Sequence, residues 1–278
     1  MSQPGKTPFE QSVNARRNME SVAHKVLVMS GKGGVGKTTL AVNLAAAFSR
    51  MGYSVGLLDV DIHGPNVPKM TGTEGTQAGF ADGRIVPVTT PGGIRMLSIS
   101  SFLPEGETAV IWRGPMKIAA IRQFLGDADW GRTEVLVVDC PPGTGDEPLT
   151  VAQLLPDSDG AVIVTSPQDV ALLDSARSVD FARRVKLAVL GIVENLSGFV
   201  CPHCGETTDL FKSGGGEEVA RRLDVPFLGR VPISPAMVLA GDSGMPLVDS
   251  SADDPAARAL TGIAGRLASS WAGPGPGR

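Results

Sequence analysis

The sequence predicts an α/β fold in which helices cover both faces of a mostly parallel sheet. Short apolar segments alternate with segments of helical period, and this alternation is typical of parallel sheets. The polar motifs follow the carboxyl ends of predicted strands, where ligands bind in such sheets. The predicted strands are 26–29, 53–61, 94–100, 133–139, 160–165, 187–193 and 226–231, with a short pairing near 84–88. The predicted helices follow the glycine-rich turn after the first strand and lie near 111–124, 149–155, 170–184, 217–223 and 255–271.

Composition sets the broad class of protein. The chain has 278 residues, of which 42% are hydrophobic and 19% charged, so one large α/β domain with an ordinary core is expected. A net charge of −4, without a lysine or arginine block, argues against nucleic acid as the main partner. No apolar run is long enough to span a membrane, and the N-terminus lacks the apolar core of a signal peptide. We therefore expect a cytoplasmic protein that has neither a membrane nor nucleic acid as its partner.

The chain divides into three parts. Residues 1–24 are polar without a strand period and are predicted to form a flexible or partly helical leader, residues 25–272 a single domain, and residues 273–278 a disordered tail. Within the domain, 255–271 has the spacing of either a membrane-surface helix or a helix packed on the sheet. Its only basic residues are Arg258 and Arg266, which favours packing because anionic lipid attracts clusters of positive charge.

A phosphate-binding motif follows the first predicted strand. Residues 31–38, GKGGVGKT, match G-x-x-x-x-G-K-[ST] between a strand and a helix. Glycines let successive backbone N–H groups converge on phosphate oxygens, and the start of the helix adds its positive dipole end. Lys37 is expected to reach the β- and γ-phosphates and the Thr38 hydroxyl to bind Mg²⁺. The predicted nucleotide-binding residues of this loop are Gly31, Lys32, Gly33, Gly34, Val35, Gly36, Lys37, Thr38 and Thr39.

Acidic residues end two further strands. Asp139 closes TEVLVVD in the usual Walker B arrangement and is expected to hold Mg²⁺ directly or through water. Asp59 and Asp61 end YSVGLLDVD, where an acid near the γ-phosphate would orient or deprotonate the attacking water. The turn-rich segment after Asp139 can move with the γ-phosphate, so the Gly143 amide and Asp146 are candidates for a switch.

Two of the three cysteines are spaced as metal ligands. Cys201 and Cys204 form a C-x-x-C pair in a predicted loop, and two thiolates at this spacing make half of a tetrahedral site. Because no second C-x-x-C exists in the sequence, a C₂ dimer that contributes two thiolates from each copy is the simplest completion. Structural zinc, a redox pair and an empty pair are the alternatives, and His203 is a weaker candidate ligand. Cys140, beside the Walker B aspartate, is expected to serve packing.

The loop GKGGVGKTT resembles the deviant Walker A motif of MinD/ParA-type ATPases. This resemblance implies that Lys32 reaches across a nucleotide-sandwich dimer to the partner's phosphates, whereas the alternative is a solvated charge. It also implies that Asp61 handles the water while Asp59 helps to hold Mg²⁺ or the loop. With Lys37 and Asp139, these residues complete the candidate catalytic set. The neighbouring histidine at position 63 is expected to be structural.

The same resemblance bears on Asn195, which follows the apolar segment LAVLGIVE. It lies at the predicted end of a strand, where the family has an asparagine that reads adenine. A side-chain amide offers a donor and an acceptor to a base edge. A simple turn asparagine is the alternative.

Seven segments together identify a narrower resemblance. GKGGVGKTT, DVDIHGPNVP, WRGP, VVDCPPGTGD, TSPQDVALLD, GIVENLSGFVCPHCG and PFLGRVPI are similar to Mrp/ApbC-type P-loop ATPases, across roughly residues 20–250. The resemblance implies a three-layer P-loop NTPase fold and slow hydrolysis of ATP with Mg²⁺. It further implies a homodimer that bridges a [4Fe–4S] cluster through the C-x-x-C pairs and passes it to apo iron–sulfur proteins, with a cluster-assembly scaffold as a further partner. The rival is a MinD/ParA-like positioning ATPase whose cysteines hold structural zinc.

Overall fold

A computed structural model of the protein describes residues 7–62, 64–102, 113–201 and 203–271. Its strands are β1 (His24–Ser30), β2 (Val55–Asp59), β3 (Gly79–Ala81), β4 (Arg84–Val86), β5 (Val88–Thr89), β6 (Arg95–Leu97), β7 (Val135–Asp139), β8 (Gly160–Thr165), β9 (Val189–Val200), β10 (Thr207–Thr208) and β11 (Phe227–Ile233). Its helices are α1 (Pro8–Met19), α2 (Lys37–Arg50), α3 (Val67–Met70), α4 (Gly114–Gly126), α5 (Asp146–Leu154), α6 (Asp169–Arg184), α7 (Gly215–Arg222), α8 (Pro235–Ser243), α9 (Leu247–Ser250) and α10 (Pro255–Trp271). A 3₁₀ turn spans Ile99–Phe102.

One mixed sheet organises the described chain. Its strand order is β10-β9-β8-β1-β7-β2-β6-β5, with β11 also paired to β9. The central pairs β8–β1, β1–β7 and β7–β2 are all parallel, so their carboxyl ends meet at one edge. The register of β2 with β7 sets Asp59 directly opposite Asp139. The predicted α/β fold is confirmed, and the sheet brings the predicted acids together.

Successive side chains of the central strands point to opposite faces of the sheet, and both faces are covered by helices. On β1, Val26 and Val28 join a core with residues of α2, α8, α9 and α10. Their neighbours Leu27 and Met29 join a second core with residues of α1, α4, α5, α6 and α7. Because successive side chains of a strand point to opposite faces, a strand that is apolar throughout needs cover on both sides. The predicted three-layer arrangement is therefore observed.

The predicted leader contains a packed helix. Helix α1 begins with a capping box in which Thr7 and Glu10 bond reciprocally, and it packs against α4. Two of its residues, Ala15 and Met19, are fully buried. The buried ammonium of Lys25 donates to the carbonyl oxygens of Met19 (3.2 Å) and Val22 (2.7 Å) at the end of this helix. The part of the leader that the structure describes is thus helical and docked, which agrees with the partly helical alternative of the prediction.

The end of the chain is packed as well. Helix α10 lies on α2 and β11 and buries Leu260, Ile263 and Leu267. Its last residue, Trp271, stacks on His24 with 4.2 Å between ring centroids. Packing on the sheet, rather than exposure as a surface helix, is confirmed. In the part of the chain that the structure describes, no helix has both the length and the apolarity to cross a bilayer.

Candidate nucleotide and metal sites

The phosphate-binding loop connects β1 to α2 at the edge where the central strands end. Gly34 and Gly36 adopt φ values of 81° and 84°, in the left-handed region that favours glycine. Gly36 is the N-cap of α2 and provides no side-chain cap, so the first N–H groups of the helix are available to an anion. At Gly31, a Cβ atom would lie 2.2 Å from the carbonyl oxygen of Asp174 on α6, which excludes any side chain.

A cleft of about 470 Å³ opens over this loop. Among the predicted nucleotide-binding residues, those that line it are Lys32, Gly33, Gly34, Gly36, Lys37, Thr38 and Thr39. Gly31, Val35 and Asn195 do not line the cleft, and their assignment to nucleotide stays a prediction. Lys32 is half-buried and forms no ion pair with another described residue, so its ammonium is available at the cleft.

Lys37 is held by the predicted acids. Its Nζ lies 2.6 Å from Asp139 Oδ1 and 3.7 Å from Asp61 Oδ2. The Lys37 and Asp139 side chains are only 6% and 1% exposed. Burial by itself lowers the pKa of Lys37, but the charges of Asp139 and Asp61 outweigh it and leave the pKa raised. The cation that is predicted to hold phosphates is thus kept charged, in place, by carboxylates.

Asp59 lies deeper than Asp61. Its Oδ1 accepts the backbone N–H of Asp61 (3.0 Å) and its Oδ2 accepts the Ser98 hydroxyl (2.9 Å). Burial, followed by the negative charge of Asp139, raises the pKa of Asp59 well above its ordinary value. Asp61 lines the cleft and Asp59 does not. Asp61 is therefore open to the cleft, and Asp59 is held behind it by its bonds to the Asp61 N–H and to Ser98. The predicted roles, Asp61 toward the attacking water and Asp59 toward Mg²⁺ or the loop, stay predictions. Position 63 lies outside the described residues.

The donor set fits a magnesium ion. Asp139 Oδ2 is buried and has no hydrogen-bond partner among the described residues, while Oδ1 is engaged by Lys37. Burial raises the pKa of Asp139, and the Lys37 ammonium opposes this effect. Thr38 Oγ1 lies 3.4 Å from Lys37 Nζ, so its hydroxyl is in the same cluster. Carboxylate and hydroxyl oxygens are the hard ligands that Mg²⁺ prefers.

The predicted switch segment is anchored to the phosphate-binding loop. The Gly143 amide, with φ of 88°, donates to the carbonyl oxygen of Ser30 at 2.8 Å. Asp146 is the exposed first residue of α5. An amide in this bond cannot donate to a phosphate, so a switch through Gly143 would first break its bond to Ser30.

Sequence reasoning missed one wall of the cleft. Helix α8 lines the cleft with Met237, Val238, Gly241 and Asp242. Helix α3 adds Lys69 and Met70, and the residue before this helix, Asn66, completes the wall. The buried Asn43 of α2 holds this wall, because its Nδ2 contacts Met237 Sδ (3.7 Å) and its Oδ1 accepts the Val248 N–H (3.2 Å). The segment SPAMV carried a usable signal, since proline at the first helical position marks a helix start.

Asn195 lies inside a strand, and the prediction that it ends one is wrong. Strand β9 continues to Val200 because β11 and β10 pair with it beyond Asn195. Asn195 Nδ2 donates to the carbonyl oxygen of Val35 at 2.9 Å. The side chain therefore supports the phosphate-binding loop from behind.

The C-x-x-C pair lies in a loop, as predicted, and this loop forms the tip of the β9–β10 hairpin. Cys201 directly follows β9; its N–H donates to the Glu206 carbonyl and its carbonyl accepts the Gly205 N–H, both at 2.9 Å. Hydrogen bonds from the backbone of Cys204 and His203, followed by one from the Cys204 side chain, lower the pKa of the Cys201 thiol. Among the described residues, no group of three His, Cys, Asp or Glu side chains is placed to hold a metal ion. The described part of one chain therefore offers two neighbouring thiols, Cys201 with a lowered pKa and Cys204 beside it, which make half of a tetrahedral set.

Cys140 differs from this pair. It is fully buried, and burial raises the pKa of its thiol far above the ordinary value. A neutral buried thiol is inert, so the packing role predicted for it agrees with its surroundings.

Comparison with known proteins shows the family of the chain. A family model described as ParA, NUBPL iron-transfer P-loop NTPase, matches residues 21–268. The chain belongs to this family. It is therefore a P-loop NTPase, and the predicted resemblance is confirmed.

Two curated relatives of the NUBPL-type chain are similar over most of their length. The iron-sulfur cluster carrier protein of Methanocaldococcus jannaschii is 51% identical over 239 residues, which cover 86% of this chain and 82% of that protein. The cytosolic Fe-S cluster assembly factor NUBP2 of Bos taurus is 46% identical over 256 residues, which cover 91% of this chain and 94% of that protein.

Solved structures agree with this fold. A nucleotide-binding protein from Archaeoglobus fulgidus, in complex with ADP, has a TM-score of 0.74 and 37% identity, and the match covers 84% of this chain and 91% of that chain. The septum site-determining protein MinD of Pyrococcus horikoshii, complexed with Mg-ADP, has a TM-score of 0.65 at 22% identity, covering 88% and 96%. The second likeness concerns the fold alone.

Proposed function

We propose that this NUBPL-type chain is an ATP-hydrolysing carrier that holds an iron–sulfur cluster as cargo on Cys201 and Cys204 and transfers it to apo-proteins. The observation that carries the proposal is a pair of accessible thiols at a hairpin tip of a P-loop NTPase, in which Cys201 is half-buried with a lowered pKa and Cys204 is exposed. The names of its relatives, a cluster carrier and a cytosolic assembly factor, support it. We place its work in the cytoplasm, with a cluster-assembly scaffold as the donor and apo iron–sulfur proteins as recipients.

The carrier acts as a homodimer in this proposal. A [4Fe–4S] cargo takes four cysteine ligands, and the second copy supplies the missing two. A hairpin-flanking patch is defined as the exposed apolar residues Val170 and Leu173 in the first turns of α6 and Leu210 and Phe211 just after β10. An ion pair of 2.9 Å between Lys212 and Asp169 brings these two segments together. Leu210 and Phe211 follow the hairpin that carries the thiols, so we assign this patch as the apolar surface that the second copy covers.

Nucleotide chemistry follows from the cluster around Lys37. The Lys37 ammonium would bind the phosphates of ATP. Mg²⁺ would be held by Thr38 Oγ1 and by Asp139 Oδ2, which has no partner among the described residues. When bound, the ion supplies neutralisation of charge on the phosphates. Asp61, aligned through Asp59, would orient the attacking water, and Lys32 would reach the partner's phosphates in the dimer.

Metal analysis of anaerobically purified protein tests the cargo. About two irons and two sulfides per protomer are expected, and the double variant Cys201→Ser/Cys204→Ser should lose both while it still binds nucleotide. Cys140→Ser is the matched control, since the buried thiol should leave the iron content unchanged. About half a zinc per protomer without iron would refute the carrier and leave the rival, a positioning ATPase with a zinc clasp.

The oligomeric state tests the patch. Sedimentation of the iron-loaded protein should give a dimer, and Leu173→Lys should shift it to the monomer because a buried ammonium opposes association. Arg177→Glu, on the next turn of α6 and highly exposed, is the control for a change of charge alone. A loaded monomer, or a dimer unaffected by Leu173→Lys, would exclude this surface.

A further inference from the structure

Strand β9 connects the nucleotide site to the cysteine hairpin, and it changes character halfway. Its pairing with β8 ends at Glu194, and its register with β11 shifts after Asn195. Leu196 then adopts φ of 58°, a left-handed value that is uncommon for a residue with a branched side chain, and Gly198 adopts 75°. The segment beyond Asn195 therefore no longer pairs with β8; it continues on β11 and β10 alone and leads to Cys201.

The last residue before this bend touches the phosphate-binding loop. Asn195 Nδ2 donates to the Val35 carbonyl at 2.9 Å, and a Cβ on Gly36 would lie 2.1 Å from the same nitrogen. The loop backbone and the Asn195 amide are thus in direct contact. Phosphate binding recruits the N–H groups of this loop, so any change in its peptides has to be accommodated by Asn195.

The preceding residue, Glu194, closes the base of the cysteine-bearing excursion. Its fully buried carboxylate accepts the Ser197 hydroxyl (2.5 Å) on the outgoing side and the N–H groups of Gly214 (2.9 Å) and Gly216 (2.5 Å) on the returning side. It also completes the start of α7, whose N-cap Gly214 has no side-chain cap. Both ends of the segment that carries the cysteines are therefore held by one side chain.

Packing makes this clamp sensitive to small movements. A Cβ on Gly216 would lie 2.9 Å from the Cβ of Glu194, so helix α7 sits directly against the strand. Charge-assisted bonds to a buried carboxylate are strong and need close geometry. A displacement of β9 at Asn195 would change the Glu194 bonds and, with them, the position of the hairpin base.

We propose that Glu194, Asn195 and Ser197 are positioning residues that couple nucleotide at the phosphate-binding loop to the thiols of the hairpin. The coupling rests on the proposed function only in its biological use, which is to link the nucleotide state to the hold on the cargo. Because coupling between two sites is reciprocal, metal on the thiols changes nucleotide affinity by the same factor.

The test measures how fast Cys201 and Cys204 of the full-length, metal-free protein are alkylated with and without MgADP. The wild-type rate should change about fivefold or more when MgADP binds, in line with the size of typical couplings. Glu194→Gln and Ser197→Ala should bring the ratio close to one while MgADP still binds. Glu218→Gln is the matched control, since it removes an exposed carboxylate from the first turn of α7 that pairs neither with Glu194 nor with Arg230, the arginine beside Glu194.

A reciprocal measurement uses zinc ion alone as the probe. The affinity for ADP is titrated with and without one equivalent of Zn²⁺ per thiol pair, and in the wild type the two ADP affinities should differ about fivefold or more. Ser197→Ala keeps the buried carboxylate, so it tests the coupling even where Glu194→Gln fails to fold. A wild-type alkylation ratio of one, or a ratio unchanged in Ser197→Ala, would overturn the proposal. Neither readout involves iron, so absence of a cluster would refute the carrier function without affecting this result.

Discussion

The ion pair between Lys37 and Asp139 should dominate the stability of the nucleotide-free protein around its site. At 2.6 Å, the attraction between unit charges is about 6 kcal/mol for an effective dielectric constant near 20. Desolvation of both groups offsets much of it, but removal of one partner leaves the other buried without its counter-charge. We therefore expect Lys37→Met to lower the free energy of unfolding by about 3–5 kcal/mol.

A double-mutant cycle separates the pair from its surroundings. Asp139→Asn removes the charge that Lys37 leaves behind, so the double variant should be more stable than Lys37→Met alone. Urea unfolding of the wild type, the two single variants and the double variant gives the four free energies of the cycle. Lys69→Met is the control: its ion pair with Glu74 is at least half exposed on both sides, and its loss should cost about 1 kcal/mol or less.

Nucleotide adds a second arm to the same experiment. MgADP at a hundred times its dissociation constant should stabilise the wild type by about 2.7 kcal/mol and leave Lys37→Met unaffected. The reasoning would be refuted by a cost below about 1 kcal/mol for Lys37→Met, or by a double variant no more stable than that single variant. Either result would mean that the acids around Lys37 do not depend on its charge.

Three further predictions follow from buried polar groups. Because the folded protein holds a proton on Asp59 above its ordinary pKa of 3.8, stability without nucleotide should fall as pH rises from there through the raised pKa. Asp59→Asn should reduce this dependence of the free energy of unfolding on pH, measured by urea unfolding at a series of pH values. An unchanged dependence would mean that a group other than Asp59 causes it. Lys25→Met should cost about 2–3 kcal/mol and release α1, seen as faster amide exchange in that helix alone; uniform exchange would contradict this. Native protein should react at Cys201 and Cys204 with a thiol reagent, and at Cys140 only after unfolding; rapid reaction of all three would show that the Cys140 site opens.

The sequence predicted the parts of the molecule whose signals are local. Apolar segments fixed the central strands, and glycine spacing fixed the phosphate-binding loop, because both patterns have a direct backbone cause. Asp139 and Asp61 were found for the same reason, as acids at strand ends. Their contact with a common lysine required only that neighbouring parallel strands end at one edge of the sheet.

The missed features depend on distant partners. Asn195 reads as a strand end because a polar residue follows an apolar run, yet pairing with β10 and β11 extends the strand beyond it. The wall formed by α8 depends on Asn43, which is far away in sequence and whose amide looks like an ordinary polar position of α2. The polar leader is helical and docked partly because the buried Lys25 ammonium of β1 donates to carbonyl oxygens at the end of α1. The spacing of apolar residues does not reveal that a lysine is buried, so the sequence did not predict this contact.

Buried polar groups also explain how one fold can carry both sites. The sheet is apolar almost everywhere. Apart from Lys25, which caps α1, the buried charges in and beside the described sheet form two sets, one at Lys37 with its acids and one at Glu194. The first set surrounds the lysine of the phosphate-binding loop, and the second holds the base of the cysteine hairpin. Strand β9 lies between them, with Glu194 and Asn195 bonded in opposite directions. A buried carboxylate on a bent strand costs stability unless all its bonds are made. Glu194 lies on β9, the strand that runs from the phosphate-binding loop to the cysteine hairpin. A displacement of β9 from either end should therefore change the hydrogen bonds of Glu194.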